Sequence, residues 1–283
     1  PSLVIAGAGA GKTRVLTTKV AYLIDSGIDP WNILALTFTN KAAREMRERI
    51  ANIVGINAAR YLQMGTFHSV FSHILRTEAE RIGYNPRFTI YDRSDSSSLI
   101  KTIIKESGLD DKKYKPNTVL SRISWAKNRL ILPESYANDP GLLKSDSAAN
   151  IPEVRNIYAN YQKRLKAAEA MDFDDLLVYM YVLLCNNEDI RKKYVERFEF
   201  VLVDEYQDTN YTQARILDLL TRERKRICVV GDDAQSIYAF RGADIDNILN
   251  FTQTFPTAKL FKLERNYRST QNILNAANGV IAN

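Results

Sequence analysis

Apolar positions in the first 90 residues follow two alternating rhythms. Short, mostly apolar runs at Leu3-Val4-Ile5 and 33–38 and a short run near 64–67 predict strands. Between them, apolar residues at helical spacing predict a helix over 12–26, stopped by Gly27 with Pro30 beyond. A second helix, capped by Asn40, should end at Gly55, and a third should run to Ile82 and close at Gly83. The alternation predicts a parallel sheet with helices on both faces. From about Asp92 to Glu196 the rhythm changes. Apolar residues such as Leu99, Ile103 and Ile104, then Ile157, Tyr158, Tyr161 and Leu165, keep helical spacing, and no convincing strand appears. Breaks fall at Gly108, Pro116, Pro133, Pro140-Gly141 and Pro152. Strand runs return at 198–203, 227–230 and 259–263. The expectation is an α/β domain over 1–90 and 184–283, interrupted by a mainly helical insertion at 91–183.

Composition narrows the class. The 283 residues are 45% hydrophobic and 25% charged, as in a soluble globular protein of one large or two ordinary domains. The longest apolar stretch, 176–185, is too short to cross a bilayer, so no membrane partner is expected. No signal-peptide pattern is visible, and the chain starts at Pro1 just ahead of a strand, which suggests a piece of a longer cytoplasmic protein. Cys185 and Cys228 lie in apolar surroundings and are expected to be buried thiols. Net charge is +6, and eight lysines and arginines against three acids fall in 101–131. Such a segment suits a protein that tracks a phosphate backbone.

The strongest chemical signal is A-G-A-G-A-G-K-T at 6–13, directly after the first apolar run. Ala6, Gly7, Ala8, Gly9, Ala10 and Gly11 would curl so that backbone N–H groups line one concavity at a helix N-terminus. Lys12 would add a full charge against the phosphates, and the Thr13 hydroxyl would ligate Mg²⁺. Further on, the run Phe200-Val201-Leu202-Val203 ends in Asp204-Glu205. Acids at the carboxyl end of a buried strand sit where ligands bind in such sheets. Asp204 would hold Mg²⁺, and Glu205 would deprotonate the attacking water.

Together these residues resemble the first half of a superfamily 1A DNA helicase of the UvrD/Rep/PcrA type. The match is collinear: the loop at 6–13, T-F-T-N-K-A-A at 37–43, G-T-F-H-S at 65–69 and D-F-D-D-L-L at 172–177. D-E-Y-Q-D-T-N at 204–210, G-D-D-A-Q-S-I-Y-A-F-R-G-A at 231–243 and N-Y-R-S-T at 266–270 follow. The resemblance implies a RecA-like P-loop NTPase domain and an ATP- and Mg²⁺-dependent motor. It would move 3′→5′ on single-stranded DNA and open 3′-tailed duplexes in the bacterial cytoplasm, at the nucleoid, with repair or replication proteins as possible partners.

Site roles carry over by motif. Gln235 would sense the γ-phosphate and attacking water, and Arg268 would act as an arginine finger. Tyr267 would stack on adenine, with Arg14 near the base. Gln207 and Arg241 would link the phosphates to the DNA track. Asn40 and the aromatic residues Phe38, Phe67, His68, Phe173, Tyr238 and Phe240 would contact DNA, because single-strand binders stack bases on rings without reading sequence. Phe240 stands where many family members have tryptophan. Trp125, amid Arg122, Lys127 and Arg129, is a further DNA-facing candidate. A helicase–nuclease of the AddA/RecB kind shares these motifs, and a non-motor module that only binds ATP or DNA is the alternative from another class. The upstream glutamine motif and the second motor domain's motifs do not occur between Pro1 and Asn283, so the piece alone should hydrolyse ATP barely.

Overall fold

A computed structural model describes residues 1–232, 243–270, 272–273, 275–276 and 279. Its strands in chain order are β1 (Ser2–Ala6), β2 (Ile33–Thr37), β3 (Gln63–Thr66), β4 (Thr89–Tyr91), β5 (Ala170–Asp172), β6 (Phe200–Val203), β7 (Ile227–Gly231) and β8 (Lys259–Leu263). Six of them form a sheet of order β3-β2-β6-β7-β1-β8, in which every pairing is parallel. The chain divides into two compact units: Pro1–Phe67, Lys192–Thr209 and Leu220–Asn283 make the first, His68–Arg191 and Asn210–Leu219 the second. Residues 91–183 fall within the second unit, which also takes in 68–90, 184–191 and 210–219.

In the first unit the central strands are buried on both faces. Leu34, Leu36, Val201, Val203, Ile227 and Val229 are as enclosed as their neighbours Ile33, Ala35, Leu202, Cys228 and Val230. This is why the strands appear as continuous apolar runs rather than alternating ones. Leu16, Val20 and Leu23 of helix Lys12–Asp25 and Met46 and Ile50 of helix Asn40–Val54 pack on one face, against Val4, Ala6, Ile33, Ala35 and Leu202. The second helix is capped by Thr39, not Asn40: the Thr39 hydroxyl accepts from the Ala42 N–H at 3.1 Å. A short helix, Ile56–Tyr61, follows Gly55 and was not expected, since six residues carry too little periodicity. Strand β6 starts at Phe200 rather than 198, because helix Glu188–Arg197 runs up to it.

The second unit is built on the helical positions noted in the sequence. Ile100, Ile103, Ile104, Val119, Ile123, Tyr158, Tyr161 and Leu165 form one core. Pro116, Pro133 and Pro140 each open a helix, where a missing N–H costs nothing. The expectation of no strand here is corrected. β4 and β5 pair in parallel, Thr89 with Ala170, Ile90 with Met171 and Tyr91 with Asp172. Three-residue strands leave too short a run to register as a period. Each feeds a helix through an acidic capping box, Asp92 with Asp95 and Asp172 with Asp175. Helix Phe67–Thr77 ends before the expected Ile82, and a short turn, Ala79–Ile82, leads to Gly83 at φ +68°. Cys228 is buried, and burial pushes its thiol up, whereas Cys185 is exposed, contrary to expectation. No helix among the described residues is long and apolar enough to cross a membrane.

Candidate nucleotide-binding site

Because the sheet is parallel, the carboxyl ends of β1, β6 and β7 share one edge, and the candidate residues cluster there. After β1 the chain turns tightly, with the Ala10 N–H donating to the Gly7 carbonyl at 3.1 Å. Gly9 and Gly11 take φ of +75° and +98°, which side chains disfavour. Helix Lys12–Asp25 starts at once, so its unpaired N–H groups and positive dipole end border the same turn. Thr13 and Arg14 lie on its first turn, Thr13 half-buried and Arg14 exposed.

A second segment lies on this loop. A Cβ on Gly9 would come within 2.6 Å of the Arg268 Cβ and 2.9 Å of the Asn266 Oδ1. The Tyr267 N–H donates to the Gly9 carbonyl at 3.0 Å, and the Asn266 amide donates to the Ala8 carbonyl. Asn266 Oδ1 in turn accepts from the N–H groups of Arg268 (2.8 Å) and Ser269 (2.9 Å). Asn266 therefore fastens the N-Y-R-S segment to the phosphate loop. Sequence reasoning gave it no role, although its place inside that motif was the available signal. The Tyr267 ring is 72% exposed and has the Arg265 guanidinium 5.2 Å from its centre. The Arg268 side chain is exposed.

Beyond β6, Lys12 Nζ lies 2.9 Å from Glu205 Oε2. Gln207 donates from Nε2 to the same Glu205 oxygen at 2.9 Å, and its Oε1 accepts from the Asp232 N–H at the end of β7 at 3.0 Å. Gly231 makes room, since a Cβ there would sit 2.7 Å from Gln207 Oε1. Glu205 has φ +49°, a left-handed conformation costly for a non-glycine residue and typical of functional sites. Asp204 is buried, and its Oδ1 accepts the Glu205 N–H at 3.0 Å. Burial, with the neighbouring Glu205 charge, pushes the carboxyls of Asp204 and Asp208 up to about 6. Asp208 Oδ1 is buried and has no hydrogen-bond partner among the described residues.

Among the described residues, Lys12 and Arg49 act on Asp204 and Lys12 on Asp208, and both carboxyls are still raised, an environment that a divalent ion would relieve. Among the described residues no three His, Cys, Asp or Glu side chains are grouped to hold a metal unaided. Mg²⁺ takes one or two protein oxygens and fills the rest from phosphates and water. Hard donors of the right kind are present in Asp204 and Thr13.

The proposed DNA contacts divide. Phe38, just past β2, is half-buried, and Asn40 is exposed at a helix start. Phe67 is only 2% exposed, so its ring offers no open face to a base. In the second unit, His68 and Phe173 meet edge to face at 5.8 Å, and Phe173 is 53% exposed at the start of helix Phe173–Asn186. Burial pulls the His68 imidazole down to about 4, so it is neutral at pH 7. Trp125 is 41% exposed, with the Arg129 guanidinium stacked 4.3 Å from its ring centre. Lys127, counted in the basic segment, is in fact buried between Asp172 and Asp175. Gln235, Tyr238, Phe240 and Arg241 lie outside the described residues.

A glycine-rich turn after the first strand and paired acids ending a strand of a 3-2-6-7-1-8 parallel sheet define the RecA-like class of α/β motor domain. Within that class the chain belongs to the UvrD/REP helicase N-terminal domain family, whose model matches residues 1–256. It is 48% identical over 282 residues to the ATP-dependent DNA helicase PcrA of Leuconostoc citreum, covering 99% of this chain and 37% of the relative. It is 47% identical over 284 residues to the PcrA of Bacillus subtilis, covering 100% of this chain and 38% of the relative. The chain therefore spans well under half the length of these curated relatives.

Proposed function

We propose that this chain is the ATP-hydrolysing first motor portion of a DNA helicase that moves 3′→5′ on single-stranded DNA and opens 3′-tailed duplexes. Residues 1–90 and 184–283 would form the motor and 91–183 its helical insertion, working in the bacterial cytoplasm on nucleoid DNA. The observation that carries the reading is the linked series Lys12, Glu205, Gln207 and Asp232 beside the 6–13 turn.

The backbone N–H groups of the turn and the helix N-terminus would bind the ATP phosphates, and Lys12 would neutralise them. Phosphates in that position compete with Glu205 for the one Lys12 ammonium. A Glu205 carboxylate released from Lys12 keeps its hydrogen bond from Gln207 and is free to accept a proton from water. Mg²⁺, held through Thr13 and Asp204, would offset charge on the phosphates. Arg268, on the segment fastened to Gly9, would offset charge growing on the transferred phosphoryl. Tyr267 would stack on the adenine with Arg14 near it, and Phe38, Asn40, His68 and Phe173 would contact the strand.

The test is Glu205→Gln in the helicase carrying this chain. DNA-stimulated hydrolysis should fall roughly 10²–10⁴-fold while ATP and single-strand binding persist. Unchanged turnover would remove Glu205 from its role, and unwinding of 5′-tailed rather than 3′-tailed duplexes would overturn the polarity.

A further inference from the structure

We propose that Asn128 is a positioning residue that ties the DNA-facing start of helix Phe173–Asn186 to the chain that follows the catalytic acids. The inference rests on the function proposed above and adds a residue to it. Asn128 ends helix Pro116–Lys127 and belongs to none of the motifs that carry the family resemblance.

Two buried groups at this helix end grip both sides of Phe173. Lys127 Nζ pairs with Asp172 Oδ2 at 2.7 Å and Asp175 Oδ1 at 2.8 Å, and Tyr161 donates to Asp172 at 2.9 Å. Asn128 Nδ2 donates to Asp174 Oδ1 at 3.0 Å. The residues before and after Phe173 are thus both held by one helix terminus, while its ring stays exposed.

The same terminus grips the start of helix Tyr211–Thr221. The Thr212 N–H donates to the Asn128 carbonyl at 3.3 Å, and its hydroxyl donates to the Lys127 carbonyl at 3.1 Å. The Asn210 amide donates to Asn128 Oδ1. Asn210 follows Thr209 directly, five residues after Glu205.

The orientation of each amide is fixed by its partners. Asn210 Oδ1 is taken by the Gln213 N–H at 2.8 Å, and its own N–H donates to Gln213 Oε1 at 2.9 Å, so only Nδ2 remains to face Asn128. Asn128 must then present Oδ1 to Asn210 and Nδ2 to the Asp174 carboxylate, which only accepts. Thr212 is wholly buried and Asn210 nearly so. A satisfied buried polar network of this kind is rigid, because breaking any member leaves unpaired groups away from water. A change in the 204–209 loop that moves Asn210 must therefore carry Asn128, Asp174 and the Phe173 backbone with it or break buried hydrogen bonds.

Position between two sites does not by itself demonstrate coupling, and the assay separates coupling from stability. Wild-type helicase and Asn128→Ala are compared in ATP turnover with and without saturating oligo-dT, with thermal midpoints measured alongside. The expected result is a loss of about tenfold in DNA-stimulated kcat, with DNA-free turnover and the KM for ATP within about twofold. Phe173→Ala should lower stimulation too, and the double variant should be no worse than Phe173→Ala alone, as for residues acting through one path. Equal losses with and without DNA, additive losses, or stimulation within twofold of wild type would overturn the proposal. If Asn128→Ala does not fold, Asn210→Ser removes the other end of the bond and is held to the same outcomes. A wild-type protein that DNA does not stimulate would instead overturn the motor reading, and this inference with it.

Discussion

Replacing Lys127 by methionine removes the ammonium that pairs with Asp172 and Asp175 in a buried acidic cluster while keeping most of the side-chain volume. Lys127 and Asp175 are each 1% exposed, and Asp172 is 5% exposed. Burial alone would lower the Lys127 ammonium, but Asp172 and Asp175 outweigh it and hold it well above its ordinary range. In the same way burial would raise Asp172, yet Lys127 keeps it below the usual carboxylate value. Asp175 is already raised by burial and by Asp172, so it yields little more when the lysine goes. Asp172 carries most of the cost. Without a counter-ion it must either stay charged in the core or take a proton. Protonating a carboxyl of ordinary pKa, about 3.9, costs about 4 kcal/mol at pH 7 and about 1.5 kcal/mol at pH 5. That ceiling agrees with the roughly 3–5 kcal/mol typical of removing one partner from a buried ion pair. The sign follows: the variant's Asp172 has a raised pKa, so its stability is present at low pH and is lost as pH rises above about 4. Urea denaturation followed by circular dichroism should show a gap of about 3–4 kcal/mol between wild type and Lys127→Met at pH 7, narrowing to about 1–2 kcal/mol at pH 5. A gap under about 1 kcal/mol at pH 7, or one that widens on acidification, would refute the cluster as described.

Three other outcomes are expected. Gly9→Ala forces a side chain into a φ of +75° and into the Arg268 Cβ at 2.6 Å, so ATP affinity by calorimetry should fall about tenfold or more; wild-type affinity would mean the 266–269 segment does not sit on the loop. Phe173→Ala should cost about 1–3 kcal/mol of single-strand affinity regardless of sequence, with steep salt dependence in both proteins, and a loss confined to one base would contradict stacking. The His68 imidazole should titrate near 4 by NMR, and because its folded pKa is depressed, its contribution to stability is lost as pH falls from about 6.5 towards 4; a midpoint at or above 6.5 would show it solvated.

The central strands of the large sheet were legible because burial on both faces writes them as unbroken apolar runs, Ile33 to Leu36 and Ile227 to Val230 among them. Helix Lys12–Asp25 was equally clear, since its apolar stripe is bounded by glycines on either side. What the pattern lost was whatever depends on a partner elsewhere in the chain. β4 and β5 are strands only because they face each other across 81 positions, at Thr89 and Ala170. Lys127 looked like part of a basic surface, since a charge in sequence does not display the carboxylates that enclose it. Phe67 and Phe173 occupy similar places in their motifs, yet one is enclosed and the other open. Ring type does not encode which face is covered.

The acid pair shows the same division inside the candidate site. Asp204-Glu205 at a strand end was visible as chemistry, but the device that orients Glu205 was not. Gln207 Oε1 is committed to the Asp232 N–H, a backbone donor that cannot rotate away, so the Gln207 amide has one orientation and its Nε2 must face Glu205. Glu205 Oε2 thus accepts from the neutral Gln207 amide and forms an ion pair with the charged Lys12. Only the second is one that phosphate oxygens can draw off. On the proposed function, an amide at position 207 would keep the carboxylate aimed while leaving its charge uncompensated were Lys12 to turn to phosphate, which a lysine or arginine there would not do. On the proposed function, aim and basicity would be supplied by separate residues, and the loop at 6–13 would act on basicity alone.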